Sequence, residues 1–274
     1  VLRIASFNVN GIRAAQRRGI EAWWSRTRPD IVAIQEMRAS TAAIPEGLLD
    51  DWHVAYHEGN LAGRNGVALL SRTPPTAIRH GFGHRPSDPE GRYVEADYDL
   101  DGLALRIGSV YVPKGATWEG PDADPEKYRR KMRFMTSFRS YLTRARRHAA
   151  REGREFLVMG DFNIAHTRDD VKNWRSNQRS EGFLPEEREW FGSILGPRTL
   201  VDVVRRLHPE GPGPYSWWSW RGQAFANDAG WRIDYHLASP GLAARAVAGG
   251  THKDASYDTR ISDHAPVVVD YATS

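Results

Sequence analysis

The strongest constraint on this chain is a series of short apolar, β-branched runs that stop abruptly at polar residues. They are Ile4–Val9, Ile31–Gln35, Gly66–Leu70, Tyr93–Tyr98, Leu105–Val112, Phe156–Met159, Ile233–Leu237 and Val267–Tyr271. Runs this short, rich in Val, Ile and aromatics, read as strands covered on both faces. Helical patterns lie between some of them. Residues 18–28 place Ile20, Trp23 and Trp24 at helical spacing, and residues 185–195 open on Pro-Glu-Glu. The longest pattern repeats Tyr128, Met132, Met135, Phe138, Leu142, Ala145 and Ala149 at three- and four-residue steps. Asp124 caps that helix, Pro125 starts it and Gly153 stops it. The neighbouring runs 66–70 and 76–80 are expected to form a hairpin, so the sheets are mixed. Interleaved strands and helices of this kind predict layered α/β architecture. No repeat, low-complexity tract or long linker divides the chain, so residues 1–274 are expected to be a single domain.

Composition narrows the chemistry. The absence of cysteine excludes a disulfide framework, a thiolate metal site and a cysteine nucleophile. No run approaches the roughly 18 apolar residues of a membrane span, so no membrane partner is expected. The opening residues read as a strand and not as a secretion signal. The net charge of +4 is unevenly spread. Residues 124–155 hold eleven Arg/Lys against four Asp/Glu, leaving the remainder of the chain net negative. A solvated arginine face is the expected form of that basic helix.

The strand ends carry the chemistry. Asn8 and Asn10 close the first run, Glu36 the second, and Tyr111 lies near the end of 105–112. In Gly160-Asp161-Phe162-Asn163 the acid and the amide fall on one side of an extended segment, because side chains alternate with period two. Asp234 and the pair Asp263-His264 complete the set. Carboxylates and amides suit a hard divalent cation, and without cysteine a zinc centre is disfavoured. Carboxylates gathered on a cation beside a histidine and a tyrosine suit hydrolysis of a phosphoester.

The ordered motifs FNVNGIR, QE, VYVP, GDFN, WRIDY and SDHAP resemble the exonuclease III family of apurinic/apyrimidinic endonucleases, within the endonuclease/exonuclease/phosphatase superfamily. The resemblance runs from Ile4 to Tyr271. QE and SDH also occur in sphingomyelinase-like, inositol-phosphatase and deadenylase relatives. Asn8–Arg13, the segment Asn173–Phe183 and YSWWSW followed by GWRIDY are more selective and indicate the DNA-repair branch.

The resemblance implies a four-layered α/β sandwich with two packed mixed β-sheets flanked by helices. It implies Mg²⁺, with Mn²⁺ as a substitute, held chiefly by Glu36, with Asn8, Asp161, Asn163 and Asp263. Asp161 would activate water and Asn163 orient it. His264, held by Asp234, would contact a phosphate oxygen, and Tyr111 would support the phosphate or leaving group. Trp217 and Trp231 would line a pocket for an extrahelical abasic sugar. Arg13 and Asn177 would touch DNA phosphates, with Arg175 and Arg179 nearby. The implied activity is cleavage 5′ to abasic sites in double-stranded DNA, with 3′-5′ exonuclease and 3′-end cleaning in base excision repair. A monomer in the cytoplasm, nucleoid-associated when bound to DNA, is the expected form. Three positions depart from the pattern. Asn10 stands where some members have aspartate, Lys114 where a small amide is expected, and Ser180 where some carry asparagine.

Overall fold

The computed structural model describes residues 1–100 and 102–273. Its strands are β1 (Leu2–Asn8), β2 (Ile31–Gln35), β3 (His53–His57), β4 (Val67–Ser71), β5 (Ala77–His80), β6 (Tyr93–Leu100), β7 (Leu103–Tyr111), β8 (Glu155–Asp161), β9 (Val201–Asp202), β10 (Asp234–Ala238), β11 (Ala246–Thr251) and β12 (Val267–Tyr271). The helices are α1 (Ile12–Arg17), α2 (Ile20–Thr27), α3 (Pro125–Arg151), α4 (Trp174–Asn177), α5 (Pro185–Ile194), α6 (Val203–Leu207) and α7 (Pro240–Ala244).

Two six-stranded sheets form, in the orders β11-β12-β1-β2-β4-β3 and β5-β6-β7-β8-β10-β9. Each has a parallel pair at its centre, β1–β2 and β7–β8, within otherwise antiparallel neighbours. Strand alternation builds the layers. In β1, Ile4 faces the core between the sheets, while Ala5 and Phe7 pack outward with Trp23 and Trp24 of α2. In β8, Leu157 and Met159 face inward, and Phe156 and Val158 pack outward with Phe134 and Phe138 of α3. Helix, sheet, sheet and helix are thus stacked as an α/β sandwich. Coverage of both faces is why these strands read as near-continuous apolar runs.

The expected hairpin between 66–70 and 76–80 does not form. β4 pairs with β2 and β3, whereas β5 pairs with β6 in the other sheet. The connection contains Pro74 and Pro75, which lack N–H donors and fix their φ angles, so it passes the chain between sheets instead of reversing it. Helix α3 begins where its signals place it, with the Asp124 carboxylate accepting from the Lys127 amide at 3.0 Å. Its buried face differs from the expected stripe. Lys131 and Phe134 are buried, while Tyr128 and Met132 are only partly covered.

Polar bridges register one sheet on the other. The Gln35 amide donates to Ser109 Oγ at 3.0 Å, and Ser109 donates to the Ile34 carbonyl at 3.1 Å. His236 of β10 forms a second bridge: its Nε2 lies 3.1 Å from the Val267 carbonyl and its Nδ1 3.2 Å from the Tyr271 hydroxyl. The carbonyl can only accept, so Nε2 carries the proton and Nδ1 accepts from tyrosine. Burial pushes this imidazole down to about 4. The unfolded chain therefore binds a proton below its ordinary value near 6.5 while the folded one does not. Stability from the neutral ring is complete above 6.5 and is lost as pH falls toward 4. Between pH 7 and 4.5 the loss is expected to be about 2–3 kcal/mol. Urea unfolding of wild type and His236→Gln should show their difference shrinking by that amount. A difference independent of pH would exclude His236 as the titrating group.

Candidate active site

The central parallel pairs end together, and their ends meet across the two sheets. Register sets Asn8 beside Gln35, Tyr111 beside Asp161, and Asp234 beside Asp161. The carboxyl ends of parallel strands are where α/β sheets place their ligands. Gly160 permits this approach: a side chain there would sit on the Val110 carbonyl oxygen of the neighbouring strand. Beyond the strands, Glu36, Arg38 and Asn163 adopt left-handed backbone with φ of 53°, 51° and 49°. Such values are uncommon for residues other than glycine and turn these side chains back over the strand ends.

A continuous hydrogen-bonded set results. The Asn8 amide donates to both Glu36 Oε1 and Asp161 Oδ2, at 2.9 Å each. The Asn163 main-chain N–H donates to Asp161 Oδ1 at 2.8 Å, and its side chain donates to the Val112 carbonyl at 2.8 Å. His264 Nε2 lies 3.6 Å from Asp161 Oδ2, and its Nδ1 lies 2.8 Å from Asp234 Oδ2. Ser216 holds Asp234 in turn, donating at 2.6 Å while accepting from the Ile233 and Asp234 amides. Asp263 accepts from the Asn10 amide at 3.0 Å and from the Trp217 indole at 3.1 Å.

Electrostatics follow from this crowding. Burial raises the Asp161 carboxyl, His264 opposes the rise, and the Asp234 and Glu36 charges add to it, leaving Asp161 at about 7. Burial alone would lower His264, but the carboxylates of Asp234 and Asp161 override it and hold the imidazolium to about 10. With both nitrogens protonated, His264 is a hydrogen-bond donor. Burial beside Glu36 and Asp161 keeps the Tyr111 phenol protonated, well above its ordinary value.

Glu36, Asp161, Asn163, Asp263, His264 and Tyr111 line a cavity of about 400 Å³. Trp217 and Trp231 wall it, edge to face with centroids 6.4 Å apart, and Asn177 stands on its rim. Asn8 is fully buried behind Glu36 and Asp161. Arg13 is not in this cavity; it lines an adjacent one that shares Arg38. Lys114 reaches the rim 73% exposed, 3.5 Å from Glu181, so it does not point at the carboxylates. Ser180 donates to Asn177 at 3.2 Å.

Single oxygen or nitrogen atoms of Glu36, Asp161 and His264 lie within 4.8 Å of one another. Glu36 and Asp161 offer carboxylate oxygens to a cation, with His264 beside them. An all-oxygen donor set of this charge fits a hard divalent ion.

Two members of the set escaped sequence reasoning. Arg38 binds Glu36 Oε2 through Nε at 2.8 Å and Nη2 at 2.6 Å, which depends on backbone angles that no motif announces. Ser216 lies within YSWWSW, where the tryptophans dominate the reading.

The description of the Endonuclease/Exonuclease/phosphatase family matches residues 5–264. The chain belongs to that family. Exodeoxyribonuclease III of Haemophilus influenzae is 31% identical over 279 residues, spanning 98% of this chain and 100% of the relative. DNA repair nuclease APEX1 of Danio rerio is 30% identical over 283 residues, covering 98% and 81%. Among solved structures, an AP endonuclease from Archaeoglobus fulgidus superposes with a TM-score of 0.83 at 29% identity, covering 99% of each chain. The 3′ phosphatase NExo from Neisseria, bound to a product DNA hairpin, has a TM-score of 0.83 at 28% identity, covering 99% and 100%. This member of the family is therefore an enzyme, a nuclease of the exonuclease III and AP endonuclease type. Its sandwich is the fold of those structures, and the family's dependence on metal agrees with the acidic group at its strand ends.

Proposed function

We propose that this nuclease uses Mg²⁺ to hydrolyse the phosphodiester 5′ to abasic sites in duplex DNA, and also trims nucleotides and blocking groups from 3′ ends. The observation that carries the reading is the linked set Glu36–Asn8–Asp161–His264–Asp234 opening into a cavity walled by Trp217 and Trp231. Asp161, held at about 7, accepts the proton of the attacking water. The Asn8 amide and the Asn163 N–H fix the orientation of its two oxygens. His264, charged through Asp234, donates to a non-bridging phosphate oxygen as charge develops there. The protonated Tyr111 donates to the phosphate or leaving group. Glu36, Asp161 and Asp263, with Asn8 and Asn163 in support, would hold the divalent ion, which would supply Lewis-acid stabilisation of that same charge. Water adds to phosphorus as the 3′-oxygen departs, leaving a 3′-hydroxyl and a 5′-phosphate. No covalent enzyme intermediate forms.

The tryptophan walls favour a small flipped-out sugar over a stacked base pair. Arg13 on one side and Asn177 on the other suit phosphate contacts along a duplex. The same reading takes 1–274 as one catalytic unit, Asp101 and Ser274 lying outside the described residues, acting as a monomer on cytoplasmic, nucleoid DNA. No helix among the described residues is long and apolar enough to cross a membrane. The test is an end-labelled duplex with one abasic site, compared with single-stranded RNA and sphingomyelin, with Mg²⁺ or with chelator. A single cut 5′ to the site that chelator abolishes is expected. Preferred turnover of RNA or lipid would overturn the reading.

A further inference from the structure

The sequence pattern places Lys131 on the polar side of a basic helix, yet its side chain is 1% exposed. A lysine ammonium has three N–H donors and no acceptor. Here it donates to the Lys114 carbonyl at 3.0 Å and the Asn163 carbonyl at 2.8 Å, and forms an ion pair with Glu187 Oε1 at 2.6 Å. Its stem passes over Gly115, where a Cβ would come within 2.6 Å of Lys131 Cδ and φ is +76°. Glu187 accepts from the Leu184 N–H at 3.0 Å through its other oxygen. One ammonium therefore joins the chain leaving β7, the chain leaving β8 and the first turn of α5.

We propose that Lys131 is a positioning residue for phosphodiester hydrolysis, fixing the turn that presents Asp161 and Asn163 by holding the Asn163 and Lys114 carbonyls. Asn163 sits in left-handed backbone at φ +49°, a conformation that persists only where surrounding bonds over-determine it. Its N–H is bound to Asp161, its amide to Val112 and its carbonyl to Lys131. Replacing both members of a buried ion pair together often leaves stability unchanged, because well-packed side chains avoid the cost of burying charge. An apolar side chain cannot hold two carbonyls at the cavity edge. Misplacing a reacting group by about 1 Å can cost on the order of 10²-fold in rate.

The proposal rests on the activity proposed above, so its test includes a readout independent of substrate. Lys131→Met/Glu187→Gln and Lys131→Arg are compared with wild type for kcat and KM on the abasic duplex, thermal melting, and hydrogen exchange across residues 160–166. In the double variant kcat is expected to fall about tenfold or more with KM within about twofold, and exchange should accelerate in 160–166 with melting near wild type. Lys131→Arg, which keeps the charge and the donors, should recover most of kcat. A folded double variant with wild-type kcat and exchange overturns the proposal, as does an equal loss of kcat in Lys131→Arg. Should the double variant fail to fold, Gly115→Ala replaces it. That change drives a methyl group into the lysine stem without altering charge, and the same results support or overturn the role. A wild type that does not cleave abasic duplex refutes the activity, and the exchange measurement then still decides whether Lys131 holds the turn.

Discussion

Asp161→Asn is expected to lower single-turnover cleavage of an abasic duplex by about 10³-fold while leaving duplex affinity nearly unchanged. The substitution keeps shape, and its oxygen can still accept from the Asn163 N–H. The new amide, however, has no basic lone pair with which to take a proton from water. It also faces the Asn8 amide, 2.9 Å from the oxygen it replaces, so two donors would confront each other. The pH profile separates loss of a base from simple disorder. Burial and the Asp234 and Glu36 charges raise Asp161 to about 7 without metal, and a divalent ion beside it would lower it again, so the wild-type rate should fall along an acid limb that lies below 7. The residual activity of the variant should lack that acid limb. Rates between pH 5 and 9, with binding followed by fluorescence anisotropy in chelator, make the comparison. A variant within tenfold of wild type at pH 8 would sink the assignment of Asp161 as the base.

How much of this site could be read beforehand depended on what each residue does to the backbone. Strands buried on both faces appear as continuous apolar runs, so their polar ends stand out, and Asp161, Asn163 and Asp234 were visible as interruptions. Period-two alternation placed Asp161 and Asn163 on one side, and both line the cavity. Interaction across the sheets was not visible. The contact between Asn8 and Asp161 spans residues far apart in sequence, and whether Asn8 enters the cavity or stands behind it depends on how the sheets pack. The same blindness affected β4 and β5: adjacent runs suggested a hairpin, but two prolines carry the chain from one sheet to the other. Short β3, with only Ala55 fully buried, lacked an apolar run. Lys131 escapes detection because helical periodicity scores residue type, and a buried lysine looks like any other on a basic face. Arg38 was missed because the left-handed turn at Glu36 brings the guanidinium back onto the carboxylate.

Asp234→Asn should cost about 10²-fold at pH 8, and the loss should be smaller at pH 6. Asp234 does not reach the cavity lining; it acts through His264, with Ser216 fixing its rotamer. His264 is raised from 6.5 to about 10 against the pull of burial, with Asp234 the leading favourable charge. A raised folded-state value means that the charged ring contributes fully below 6.5, and that the contribution fades as pH rises through about 10. Removing the Asp234 charge lets burial reassert itself, so the ring loses its proton at a lower pH. The variant at pH 8 then lacks the donor aimed at the phosphate, while at pH 6 more of the ring remains protonated. The ratio of wild-type to variant rates is therefore expected to shrink toward acid even as the Asp161 limb lowers both. Observing the His264 ring protons by NMR across the same range tests the cause directly. If the ring titrates at the same pH in both proteins, or if the rate ratio is flat, Asp234 does not act through the charge on His264.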